Sequence, residues 1–142
     1  MLRVSDVMTT YVEFIEPAAT VKEAAEMMGD LDVGALPVGS TERVEGVVTD
    51  RDILYRVVAA GLDPNRVSVR EIVSRPVVFC LEDDTVRSAM DAMAANHIRR
   101  MPVQDTAGRV TGWVTLADLA RKLLVDSDTL QGALTALTDA EE

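Results

Sequence analysis

Cysteine, histidine and aromatic rings are nearly missing from this chain, and long apolar runs are missing altogether. One cysteine, Cys80, and one histidine, His97, stand in 142 residues. A lone thiol closes no internal disulfide, and with a single distant imidazole it forms no recognisable zinc spacing. Two Phe, one Trp and two Tyr are no supply of rings for stacking bases along a single strand. No apolar stretch approaches the ~20 residues of a membrane helix, and Met1 to Asp6 lacks the apolar centre of a signal peptide. The expectation is a cytoplasmic chain with no membrane contact. Basic residues are also scarce, 14 Lys and Arg against 24 Asp and Glu for a net charge of -10. That argues against a nucleic-acid surface, because a phosphate backbone draws on clustered cations. A small local basic pocket is still compatible with it.

What is present is an ordinary globular composition, 48% hydrophobic and 27% charged, with seven Met. The core must be aliphatic and Met-rich, and it needs no disulfide or metal to hold it. Cys80 sits in the apolar run Val77-Val78-Phe79-Cys80-Leu81, so a buried thiol is expected.

The chain repeats itself. Residues 4–39 align with 69–104, with identities at Val4/Val69, Val12/Val77, Phe14/Phe79, Thr20/Thr85, Val21/Val86, Ala24/Ala89, Met28/Met93, Pro37/Pro102 and Val38/Val103. After one added residue the matches continue with Arg43/Arg109, Val44/Val110, Gly46/Gly112, Val48/Val114, Thr49/Thr115 and Asp52/Asp118. Each copy opens with a short β run, Val12–Ile15 or Val77–Leu81, and then a Thr suited to cap a helix, Thr20 or Thr85. Apolar residues follow at helical spacing, Val21, Ala24, Ala25 and Met28 in one copy and Val86, Ala89, Met90 and Met93 in the other. Two further β runs, Ala35–Val38 with Val44–Val48 and Met101–Val103 with Val110–Val114, precede a closing helix over Asp50–Ala60 or Leu116–Leu124. The fold class is α/β (α+β), two βαββα repeats of residues 1–62 and 63–125, with a C-terminal helical tail over 126–142. One copy alone has a thin core, so the two should pack as one pseudo-twofold body. In the tail Leu130, Ala133, Leu134 and Leu137 share a face that needs a partner, either the chain's own surface or a second copy.

One motif carries chemistry. Gly46-Val47-Val48-Thr49-Asp50-Arg51-Asp52 recurs as Gly112-Trp113-Val114-Thr115-Leu116-Ala117-Asp118. Each reads as a Gly ending a turn, a strand, and then a hydroxyl and a carboxylate three residues apart at a helix start. That spacing places Thr and Asp on one side of the first turn. Free N–H groups there favour phosphate, the Thr can donate to it, and the Asp can accept from vicinal ribose hydroxyls. The same pair is also a plain capping box, and both roles can coexist.

The duplicated βαββα unit, the Leu36-Pro37-Val38 and Met101-Pro102-Val103 strands and the twin Gly-x-x-Thr-x-x-Asp endings resemble a tandem CBS domain pair of the stand-alone prokaryotic type. The resemblance covers residues 1 to about 125 and implies adenine nucleotides in clefts between the repeats, often with two pairs meeting in a dimer. It implies that Asp52 and Asp118 hold ribose, that Thr49 and Thr115 touch phosphate, and that the backbone near Val33–Leu36, including Gly34, Ala35 and Leu36, and near Ile98–Met101 borders adenine. Arg99 or Arg100, aided by Arg51, is the expected phosphate clamp; the alternative is a solvated pair bonded to nearby carboxylates. The expected function is a regulator that binds AMP, ADP or ATP and signals in trans to an unidentified protein target. The alternative is a ligand-free interaction protein acting through homodimerisation. With no nucleophile-base pair, metal cluster or Walker-type loop, an enzyme is not expected, and neither is a catalytic cofactor.

Overall fold

The computed structural model describes residues 2–125 and 135–136. In chain order its elements are α1 (Val21–Leu31), β1 (Ala35–Gly39), β2 (Val44–Thr49), α2 (Asp50–Ile53), β3 (Cys80–Leu81), α3 (Val86–Asn96), β4 (Arg100–Gln104), β5 (Val110–Thr115) and α4 (Leu116–Val125). Threonine starts both long helices as the sequence suggests. The Thr20 hydroxyl accepts from the Glu23 amide at 3.1 Å, and the Thr85 hydroxyl accepts from the Ser88 amide at 3.0 Å. Val21, Ala24 and Met28 of α1 and Val86, Ala89 and Met93 of α3 turn inward and are buried. The tail expected over 126–142 lies outside the described residues apart from 135–136.

Each copy pairs its two main strands antiparallel, β1 with β2 and β4 with β5. The helix expected over Asp50–Ala60 begins as α2 but widens into a π turn at Leu54–Val58, where the Ala59 amide donates to the Leu54 carbonyl. Gly61, at φ +72°, ends it. No described helix is long and apolar enough to cross a membrane.

The leading β runs differ from expectation. Val12–Ile15 reduces to one parallel bridge, Ile15 with Val38, and Val77–Leu81 reduces to β3, which pairs in parallel with β4. The cause is that these segments cross from one copy to the other. Thr9 and Trp113 exchange both backbone hydrogen bonds at 2.9 Å, which lays residue 9 on the edge of β5; by Ile15 the chain has reached β1. In the mirror arrangement the Ser74 amide donates to the Val47 carbonyl of β2 at 3.0 Å, and by Cys80 the chain has reached β4. Residues in mid-crossing have no strand beside them to pair with.

The cores record the same exchange. Val69, Ile72 and Val73 complete the core built on α1, β1 and β2, whereas Val4, with Leu2, Val7 and Met8 against it, completes the core built on α3, β4 and β5. The copies follow one another in sequence, but in space each lends its leading segment to the other. Cys80 lies in the second core, and burial, reinforced by the Asp84 carboxylate, pushes its thiol pKa up to about 12.

The crossing explains the repeated glycine. Gly46 and Gly112 do not end turns; they sit inside β2 and β5, opposite Val38 and Val103. A Cβ on Gly46 would lie 2.8 Å from the Val73 Cβ and 3.1 Å from the Ser74 carbonyl oxygen. On Gly112 it would strike the Met8 sulfur and lie 3.1 Å from the Thr9 carbonyl oxygen. Only hydrogen lets the crossing segment approach its host strand. Gly46→Ala should therefore cost about 1–3 kcal/mol of stability through overpacking. Gly112→Ala should cost less, because a Met side chain yields where a β-branched Val cannot. Thermal melts of both variants check this ordering, and equal or negligible losses would contradict it.

Two candidate ligand clefts between the repeats

Each long helix ends on a residue in the left-handed conformation, Asp32 and His97, both at φ 55°. The following amides, of Val33 and Ile98, then donate back to the carbonyls of Met28 and Met93 at 3.0 Å. These Schellman-type ends turn the chain sharply, so that residues 33–36 and 98–101 run from the helix end into a strand. Each strand is held beside its own Thr-x-x-Asp turn, since the Asp50 amide donates to the Gly34 carbonyl at 2.9 Å and the Leu116 amide to the Arg99 carbonyl at 2.7 Å.

Two cavities open between the copies, and each takes its parts crosswise. The first, about 470 Å³, joins Gly34, Ala35 and Leu36 of the first copy to Thr115 and Asp118 of the second. The second, about 480 Å³, joins Thr49, Arg51 and Asp52 of the first copy to Ile98, Arg99 and Arg100 of the second. Arg100 lines both. All ten residues singled out from the sequence thus face one cleft or the other. The crossing segments, which the sequence reading passed over, supply further walls: Thr9, Tyr11, Val12 and Glu13 in the first cleft, Ser74, Pro76, Val77 and Val78 in the second. Asp32 and Trp113 in the first, and Asp50 and His97 in the second, were also missed as cleft residues. The offset of the repeat was the available signal, because it sets Thr9 against Ser74 and Asp32 against His97.

The twin motifs are not in the same state. In the first copy the capping box is complete: the Thr49 hydroxyl accepts from the Asp52 amide at 3.0 Å, and the Asp52 carboxylate accepts from the Thr49 amide at 3.1 Å. The Ser74 hydroxyl donates to the same carboxylate at 3.2 Å, and the Arg56 guanidinium lies 3.7 Å from it. In the second copy the Thr115 hydroxyl accepts from the Asp118 amide at 3.1 Å. The Asp118 carboxylate does not return the bond but pairs outward with Arg121 at 3.0 Å. Its side chain is 38% exposed against 11% for Asp52.

Among the described residues, neither the Arg99 nor the Arg100 guanidinium makes a hydrogen bond or ion pair, whereas Arg56, Arg70, Arg109 and Arg121 all pair with carboxylates. The alternative of a pair already bonded to nearby acids is not what the described residues show. Arg100 lies against Gly34: a Cβ there would be 2.8 Å from its Nη2 and 3.0 Å from the Asp50 carboxylate. Arg51 stacks its guanidinium 5.4 Å from the centre of the Tyr55 ring. No three His, Cys, Asp or Glu side chains among the described residues gather as metal ligands.

Two copies of one α+β unit, each supplying half of two equivalent clefts, define a paired-repeat module. A family model for the CBS domain matches residues 4–59 and 69–125, and the chain belongs to that family. It is 35% identical over 124 residues to Hypoxic response protein 1 of Mycobacterium tuberculosis, covering 87% of this chain and 86% of that protein. A crystal structure of Hypoxic Response Protein I with two coordinated zinc ions superposes with a TM-score of 0.74 at 34% identity, over 86% of this chain and 99% of the other. The CBS domain-containing protein YhcV of Bacillus subtilis is 38% identical over 120 residues, 84% of each chain. The CBS domain pair of protein MJ0100, solved with 5-methylthioadenosine and S-adenosyl-L-methionine, superposes with a TM-score of 0.74 at 26% identity, over 85% of this chain and 94% of that one.

The difference between the two aspartates is measurable without any ligand. Asp52→Ala removes a nearly buried carboxylate and leaves the Thr49 amide and the Ser74 hydroxyl without their acceptor, so it should lower stability by about 1–3 kcal/mol. Asp118→Ala loses one exposed ion pair and should cost about 0–1 kcal/mol. Denaturation of the two variants side by side is the check, and a larger loss for Asp118→Ala would refute the assignment.

Proposed function

We propose that this chain is a regulatory module that binds an adenosine-containing ligand, such as AMP, ADP or ATP, between its repeats and signals its occupancy to a protein target in trans. The observation that carries this reading is the crosswise construction of the clefts. A ligand in either one touches both copies at once, so its affinity depends on how the copies sit, and its binding biases that placement in turn. The chemistry of the walls fits a nucleoside phosphate. Carboxylates of Asp118 or Asp52 meet ribose hydroxyls, and the chain at 33–36 and 98–101 offers backbone groups and apolar contact to adenine. The guanidinium groups of Arg99, Arg100 and Arg51, with Thr49 and Thr115, meet phosphate. The adenosine ligands of the MJ0100 pair support the same reading by analogy. No nucleophile with an adjacent base is proposed, and the module is not assigned catalysis.

A ligand at a hundred times its dissociation constant stabilises the protein that binds it by about 2.7 kcal/mol. Melting of the chain across a panel of AMP, ADP, ATP and adenosine should therefore show an upward shift with at least one of them. No shift with any of the four at millimolar concentration would overturn the reading and favour an interaction protein with empty clefts.

The same chain is proposed to act as a homodimer. Leu54, Tyr55 and Val58 on the π turn and Leu123 and Leu124 on α4 are large apolar side chains left more than a third exposed, a surface that a second copy would cover. Light scattering at micromolar concentration should give twice the chain mass, and Leu54→Asp combined with Leu124→Asp should return it to one. A monomeric native protein would contradict the proposal.

A further inference from the structure

We propose that the two clefts divide adenosine ligands by charge, the cleft of Arg51 and Arg99 taking a phosphorylated nucleoside and the cleft of Glu13 and Asp118 taking an adenosine derivative without phosphate. This rests on reading both clefts as adenosine sites and adds which chemistry each accepts; Thr115, which lines the first cleft, then meets no phosphate and only Thr49 does.

Charge is the first ground. Arg100 lines both clefts and so does not tell them apart. Without it the second cleft holds Arg51 and Arg99 against Asp50 and Asp52, and Asp52 is paired with Arg56 at 3.7 Å from outside the lining and bonded by Ser74. The first cleft holds Glu13, Asp32 and Asp118 with no further cation among its lining residues. Arg121 meets Asp118 from outside that lining. With Asp118 paired to Arg121, a phosphate entering the first cleft still meets Glu13 and Asp32, carboxylates without a cation partner among the described residues, and is repelled by them. A phosphate entering the second meets guanidinium groups, and Arg99 and Arg100 have no carboxylate partner among the described residues.

The nucleoside end points the same way. Asp118 keeps its carboxylate out of the capping box, with only Arg121 as partner, and can accept from two vicinal hydroxyls; the Asp52 carboxylate is already satisfied by Thr49, Ser74 and Arg56. Tyr11 and Trp113 line the first cleft, and their counterparts in the repeat are Pro76 and Val47. Tyr11 is anchored through a hydrogen bond from its hydroxyl to Glu13, which also raises the phenol pKa. Two rings beside three carboxylates offer a purine a stacking surface and favour a neutral or cationic substituent over an anionic one. The divergence between copies falls on these positions: Gly34 against Arg99, Glu13 against Val78, Trp113 against Val47.

The test is isothermal titration of the full chain with AMP and with adenosine, separately and together. Arg99→Gln should weaken AMP about tenfold more than it weakens adenosine, and Asp118→Asn should show the reverse preference. With adenosine saturating, the dissociation constant of AMP should stay within about threefold of its value alone, since the ligands occupy different clefts. Competitive displacement of AMP by adenosine, or equal sensitivity of both ligands to both variants, would overturn the division while leaving the clefts as nucleoside sites. Binding of neither ligand to the native chain would instead remove the reading on which the division rests, and the division with it. Should Asp118→Asn lower the melting temperature, Glu13→Gln in the same cleft replaces it with the same expected preference.

Discussion

The close approach of each crossing segment to the far copy's outer strand is the constraint on which the rest depends. It is made of backbone hydrogen bonds, Thr9 with Trp113 and Ser74 with Val47, and it is possible because Gly46 and Gly112 present no side chain at the point of contact. From it follow the completion of each core by the other copy's leading residues and the crosswise walls of the two clefts. Moving one strand away from its crossing segment would expose Val4 or Val69, both fully buried, and open a cleft wall at the same time.

Much of this was legible in the sequence, and what was legible was local. Helix starts at Thr20 and Thr85, the inward faces of α1 and α3 and the paired strands all depend on neighbours within a few residues, which periodicity and capping chemistry report directly. The repeat itself located the strand-to-helix turns and so brought every candidate residue to a cleft. The exchange between copies was not legible, because Val4 and Val69 are the same residue in the same context and nothing local says which core receives which. The glycines mislead for the same reason: a Gly beside a polar turn reads as the end of that turn, whereas its value here is space for a segment far away in the chain. Tyr11 and Glu13 differ from their counterparts Pro76 and Val78, so the repeat, which marked Val12 and Phe14 beside them, gave no sign of a role for either.

Identical motifs ended in different states, which shows how little of a site is contained in its signature. Thr49 and Asp52 match Thr115 and Asp118, yet Asp52 faces a serine and Asp118 does not. The residue equivalent to Ser74 is Thr9, whose side chain has no hydrogen bond to Asp118, and the residue equivalent to Tyr55 is Arg121, which draws Asp118 outward. Two substitutions outside the motif accompany the difference between a carboxylate that closes a cap and one that pairs with an arginine instead. Duplication supplied two equal frames, and the surrounding residues then made them unequal.

The exchange of leading segments also sets an order of assembly during synthesis. The first core lacks Val69, Ile72 and Val73 until translation has moved well past the first copy, so a nascent first repeat has nothing with which to seal its apolar face. Residues 2–8 wait longer still, because the surface that receives them includes Val114 and Leu119, near the far end of the described chain. Contacts so distant in sequence are slow to close. The earliest of the described residues to leave the ribosome are therefore among the last to be buried, and a chain halted between the copies would expose one unfinished core together with Val4 and its apolar neighbours, whose receiving surface does not yet exist.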